Sequence, residues 1–377
     1  MLTPLDETLM HQAPTTFDHA VTSDHRFFDR WACGVQHREL SVIYGIANYK
    51  NTDTCDGFLC VQRGGRQHNL RLSRPLRPDF DMAVGPLRVE IVEPLRSHRL
   101  VVERTDASPL HCDLTWSGTL PAHEEAPHFK RSAGRAVQDY CRLDQLGTAS
   151  GWVGIGDDRV EVHDWFAWRD HSWGVRPGMG GADPVTGQPG AAGAHRPPGS
   201  LFIWIALRAG DLAGQFQTQI GGDGRAESVD GHLIPDTDEP STSLGIAEVL
   251  HDITFVGGHT AFSHARLQVR TDDGRTWDVD ATPLRPPWDF SGAGYSGGWH
   301  DGQGLGVPRG AAVEADEYDT SAPADVGLAD GSVRQHWHRE TDVSLVVDGP
   351  TGRGLTGDGH LTIIARPPVP PASSPGG

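Results

Sequence analysis

The sequence predicts an all-β protein made of antiparallel barrels or sandwiches, and three observations carry that expectation. Forty-seven glycines and twenty-seven prolines cut the 377 residues into short segments, and no window sustains the i, i+3, i+4 apolar pattern of an amphipathic helix. Strand-like runs recur throughout, many alternating apolar with polar residues and ending in Gly, Asp or Pro. The two halves of the chain have similar β-content, which is compatible with a duplicated barrel.

In chain order the runs are RELSVIYGIANY (38–49), HNLRLS (68–73), LRVEIVE (87–93), HRLVVER (98–104) and LHCDLTW (110–116). The second half adds LFIWIALR (201–208), LAGQFQTQI (212–220), ARLQVRT (265–271), TWDVDAT (276–282), VSLVVDG (343–349) and HLTIIAR (360–366). Alternation of this kind describes antiparallel meanders with one buried face. The stretch 176–199, RPGMGGADPVTGQPGAAGAHRPPG, is too rich in Gly and Pro to be a packed element. The expected division is therefore a β-domain over 1–176, a linker or lid over 177–199, a second β-domain over 200–366 and a disordered tail over 367–377. A second glycine-rich stretch, 289–310, carries Tyr295, Trp299 and His300 and reads as a binding loop.

Composition excludes several classes of function. Thirty-two basic against fifty acidic residues give a net charge of −18, which opposes binding to phosphate backbones and anionic membranes, so nucleic acid is not an expected partner. No uncharged apolar run approaches the roughly 18 residues of a membrane span, and MLTPLDETLMHQAP lacks a secretory signal, so the expected location is the cytoplasm. Five scattered cysteines without a CxxC pair suggest buried free thiols. No G-x-S-x-G elbow, P-loop or dinucleotide fingerprint is present; GIGDDRV reads as a hairpin.

The densest chemistry lies in HDWFAWRDHSWGVR, residues 163–176. As a strand, period-two geometry puts His163, Trp165, Arg169, His171 and Trp173 on one face and Asp164, Phe166, Trp168 and Asp170 on the other. The first face suits a pocket for an apolar ligand, where tryptophan walls give contact area and a few polar groups orient or protonate it.

The segment DHSWG (170–174), with DYCRLDQLGTASGW (139–152) before it and FIWIAL (202–207) after it, resembles the hydroxyneurosporene synthase or carotenoid 1,2-hydratase superfamily, which includes AttH-like proteins. The resemblance spans roughly residues 110–210. It implies two lipocalin-like β-domains packed together around a hydrophobic cavity for an isoprenoid or other lipid-like molecule. It also implies addition of water to alkenes, or ring closure, with no metal or redox cofactor. The superfamily's His-x-Trp pair falls on His171 and Trp173. Its Tyr-x-Asp pair, whose aspartate donates the proton, has no counterpart in LFIWIAL, which offers Phe202 and Trp204 instead.

The expected function is thus a cofactor-independent hydro-lyase or isomerase acting on a hydrophobic isoprenoid, steroid or lipid-like small molecule. Its chemistry would be hydration, dehydration, double-bond isomerisation or cyclisation. Asp170 and His171 are the candidate acid and base. Trp165, Trp173 and Trp204 would stabilise a cation by about 0.5–2 kcal/mol each, and Arg169 or Arg176 would anchor a carboxylate or enolate. The rival is a non-catalytic carrier of the same class of ligand. A third reading is a cupin-like metal site on His336 and His338, in GSVRQHWHRE, with Glu340 next in phase.

Overall fold

Strands account for almost all the regular structure in the computed structural model, which describes residues 1–132, 134–180, 199–256, 260–295, 298, 303–335, 339–350, 352 and 354–366. Helix among these is confined to short 3-10 turns. The predicted runs LRVEIVE and LAGQFQTQI coincide with strands Leu87–Glu93 and Leu212–Ile220, and the other quoted runs fall within or across strands of the same registers. GIGDDRV turns the long hairpin of Arg135–Ile155 and Asp158–Val175, with Gly156 at φ 64°.

Two antiparallel β-units result. The first is a large sheet whose centre is the succession Arg66–Pro75, Thr54–Arg63, Ser41–Tyr49, Phe27–Gln36, Asp158–Val175, Arg135–Ile155 and Leu110–Gly118. Beyond Leu110–Gly118 follow Ser97–Val102, Leu87–Glu93 and Ala83–Val84. The sheet curls until Val84 meets the backbone of Gly57, so its inner face encloses one apolar core that includes Tyr44, Leu59, Leu100, Leu114, Trp116 and Val162. The second unit is a closed barrel of eight strands running from Leu201–Ala209 to Gly354–Ala365, sealed by pairing of Thr276–Pro283 with Arg339–Asp348. Together they form the expected double lipocalin-like architecture.

The units are interlocked. Strand Ala312–Asp319 leaves the barrel's chain to pair along Arg66–Pro75, and Asp325–Leu328 and Val333–Gln335 extend that edge. Leu201–Ala209 alternates cleanly: Leu201, Ile203, Ile205 and Leu207 fill the barrel, while Phe202, Trp204 and Ala206 point outward onto the first sheet. There they meet Leu120, Leu146, Phe166 and Trp168 in a third apolar cluster. Cys33, Cys55, Cys60 and Cys112 are buried free thiols, and Cys141 is a half-buried one. No helix among the described residues is long and apolar enough to cross a membrane. Most of the linker (181–198), the whole 367–377 tail, Trp299, His300, His336 and His338 lie outside the described residues.

Candidate active site

Local geometry in Asp158–Val175 sorts the predicted residues. Val160 and Val162 face inward, but His163 and Asp164 are both exposed, because a bulge stands where Asp164 takes φ 52° and the register to Arg135–Ile155 shifts between Ala149 and Gly151. One extra residue in a strand reverses the parity beyond it. Trp165, Ala167, Arg169, His171 and Trp173 then share the inner face of the first sheet, while His163 stands on its outside. Trp165 packs in the core, stacked on His37 with ring centroids 4.3 Å apart.

The open end of that inner face is a concave, mainly apolar site. A cavity of ≈ 140 Å³ is lined by Trp31, Ile91, Pro94, Leu95, Leu143, Arg169 and His171. A second, of ≈ 170 Å³, shares Trp31, Ile91 and His171 and adds Asp29, Ile46 and Met82. His171 Nε2 lies 2.7 Å from Asp29 Oδ1, with the imidazole side chain 27% exposed. Trp31, directly opposite His171 in register, and Trp173 bring their rings to 5.6 and 5.0 Å from the imidazole. Trp173 is itself 38% exposed, at the rim.

Arg169 forms the floor of the site. Its guanidinium lies over Trp31 (5.2 Å) and Trp116 (4.8 Å) and donates to Gln145 Oε1 from Nε (3.0 Å) and Nη2 (2.6 Å). Gln145 cannot swing away, because its own amide nitrogen donates to the carbonyls of Leu95 and Leu120. Beneath, His98 stacks on Trp116 and bonds the Tyr44 hydroxyl at 2.6 Å. Burial, reinforced by the Arg169 charge, pulls His98 down to about 3, so it is neutral.

Asp170, expected to act with His171, faces the other way. Gly174 makes no turn that could bring it round: it stays in the strand at φ 135°, where a Cβ would lie 2.3 Å from the Asp139 carbonyl oxygen. Asp170 instead stands beside Asp144 and opposite Ala32, on the surface that meets the barrel. Burial raises its carboxyl, against the pull of Arg142, Arg176 and Arg30. Trp204 is on this side too, 5.3 Å from Trp168, with its indole nitrogen 3.5 Å from Asp144. Arg176 lies over Phe28 and Tyr140. The predicted aromatic wall is therefore split by the thickness of a sheet: Trp173 stands beside His171 at the rim, whereas Phe202 and Trp204 belong to the junction.

That junction holds a buried polar network. Arg142 pairs with Glu125 at 2.6 Å and donates to Gln217 of the barrel at 2.9 Å. Against the upward push of burial, the Arg142 charge holds Glu125 low, while burial and the Glu125 charge raise Asp144. Glu340 accepts from His360 Nε2 at 2.7 Å and from Thr362. Among the described residues, no three His, Cys, Asp or Glu side chains gather as metal ligands.

Sequence reading missed Asp29, Trp31 and Gln145. The available signal was the D-x-W of Asp29 and Trp31, which pairs antiparallel with the H-x-W of His171 and Trp173. Phe27–Gln36 buries nearly every position and so shows no alternation to flag it as a strand.

Comparison with known proteins places this arrangement. No curated protein matches the sequence. Among solved structures, a protein assigned as AttH from Nitrosomonas europaea is similar at a TM-score of 0.52 and 13% identity, over 96% of this chain and 99% of that one. Kievitone hydratase from Nectria haematococca is similar at 0.50 and 8%, over 89% and 88%. These likenesses show the fold alone, two lipocalin-like β-units packed together. The chain belongs to a family of unknown function, DUF8625, which matches residues 2–354.

Proposed function

We propose that this chain is an enzyme that transfers protons to or from a hydrophobic small molecule, adding or removing water or moving a double bond. The observation that carries the reading is the His171–Asp29 pair at the mouth of an apolar cavity. A carboxylate on one ring nitrogen holds the imidazole in place and leaves Nδ1 to exchange a proton with a bound molecule. Asp29, and not Asp170, is the carboxylate that partners His171 in this reading. Trp31 and Trp173 supply π-faces beside any positive charge that develops, and the apolar lining excludes competing water. A protein of the same fold is named a hydratase, which agrees with this chemistry.

The test is to extract small molecules bound to the protein from its host and incubate them with wild type and His171→Ala in deuterated water. Mass-shifted or converted product with wild type, and none with His171→Ala despite retained binding, is the expected result. Full activity in His171→Ala removes this residue from the mechanism. Binding without deuterium uptake or conversion by wild type makes the protein a carrier.

A further inference from the structure

We infer that the ligand of the His171 cavity is a compact apolar acid, one or two rings or an equivalent short chain in size, whose carboxylate pairs with Arg169. The inference rests on the proposed pocket and names what fills it.

Arg169 is 4% exposed, yet among the described residues no carboxylate lies within ion-pair distance of it. Two other buried arginines are paired, Arg142 with Glu125 at 2.6 Å and Arg71 with Asp316 at 2.8 Å, whereas buried Arg30 donates to the Tyr295 hydroxyl and lines neither cavity. Gln145 occupies Nε and Nη2, but Nη1 donates to no acceptor among the described residues and is not sealed off by neighbouring atoms. Arg169 lines the ≈ 140 Å³ cavity, so a carboxylate bound there would be within reach of this side chain.

The surroundings do not neutralise the cation. His98 is neutral, and burial pushes the Cys33 thiol up to about 12 and the Tyr44 hydroxyl higher than usual. Burial lowers the Arg169 guanidinium from its ordinary value, as expected of a charge without a counterion. The faces of Trp31 and Trp116 hold it in place but present no anion. Glu93, the carboxylate on the cavity lining, is ion-paired with Arg96 at 3.3 Å and 61% exposed. With a net charge of −18, the chain as a whole repels anions, so selection for an acid must arise locally, at Arg169.

Volume limits the rest of the molecule. Cavities of ≈ 140 and ≈ 170 Å³ meeting at Trp31, Ile91 and His171 are each near the roughly 150 Å³ that accommodates a benzene ring. A carboxylate seated on Arg169 sends its apolar body past Leu143 and Ile91 toward His171. A long polyene would extend beyond these cavities into solvent.

The test uses full-length protein and matched probes, 3-phenylpropanoate against 3-phenylpropan-1-ol and geranate against geraniol, titrated by tryptophan fluorescence and calorimetry. Each acid is expected to bind about tenfold or more tighter than its alcohol, the scale of one charge-assisted pair. Arg169→Met should erase that preference while keeping alcohol binding, and Arg169→Lys should restore part of it. Equal binding of acid and alcohol by wild type overturns the inference and leaves the apolar pocket standing, as does a preference that survives Arg169→Met. Failure of all four probes to bind wild type overturns both the inference and the pocket. Should Arg169→Met not fold, the wild-type comparison and Arg169→Lys decide.

Discussion

His171 and His360 show how one residue type is set to opposite uses by its neighbours. His171 sits half-open at the cavity with Asp29 as its carboxylate partner, the arrangement on which the proposed function rests. His360 is fully buried between Asp342 at Nδ1 (3.0 Å) and Glu340 at Nε2 (2.7 Å), against the ring of Trp168. Burial alone would lower its affinity for protons, but the hydrogen bonds and charges of Asp342 and Glu340 overcome that and raise it from 6.5 to about 9. A group whose folded-state value is raised stabilises fully below its unfolded value and loses that contribution as pH rises through the folded one. The melting temperature should therefore fall between about pH 6.5 and 9 through this residue, and His360→Gln should flatten that part of the profile. An unchanged slope in His360→Gln would exclude His360 as its source.

At the level of elements, the sheets are shaped by glycines that aromatic rings cover from the next strand. Gly34 faces Trp168 across Phe27–Gln36 and Asp158–Val175, and a Cβ there would lie 2.3 Å from the indole. Gly147 lies under Trp116 in the same way. Each ring occupies the room a side chain would need, so the strands approach and the sheet can coil. Gly34→Ala is expected to displace Trp168, and with it the Trp204 and His360 contacts, at a cost of about 1–3 kcal/mol in a urea melt. A neutral result would mean that the ring moves freely and that this part of the junction is loosely packed. The bulge at His163 and Asp164 matters on the same scale, because it decides which residues of the strand face the inside of the first sheet.

For the whole molecule, the two β-units share strands and buried charges. Ala312–Asp319 completes the first sheet from the far end of the sequence, and Gln217 joins the Glu125–Arg142 pair from the barrel. Trp204, Phe202 and Trp168 would be exposed if the units parted. Unfolding should therefore be a single calorimetric transition, and residues 1–199 expressed alone should not fold, lacking an edge of their sheet. Two separated transitions, or a folded 1–199 fragment, would contradict this. The cavity beside His171 opens at the end of the first unit, while a separate cavity of ≈ 180 Å³ lies at the junction, between Leu120, Leu146 and Phe166 of the first unit and Arg208 and Ala213 of the barrel.

Much of this was written in the chain. Alternation and Gly or Pro punctuation determine an all-β fold in two parts, because a half-buried strand must alternate and a turn must bend. The pattern H-x-W likewise puts His171 and Trp173 on one face, and the charge balance turns the surface away from polyanions. What only the tertiary structure decided is which faces meet. Parity is a local property that one bulge reverses, so His163 left the site without any sign in composition. Asp29 and Asp170 are both near His171, and only the register of Phe27–Gln36 against Asp158–Val175 chose Asp29. Trp204 follows the pattern of a wall residue, yet a strand's two faces serve different neighbours, and its outward face serves the junction. That Arg169 is buried with no carboxylate of the described residues in ion-pair distance depends on everything around it, and no stretch of sequence contains it.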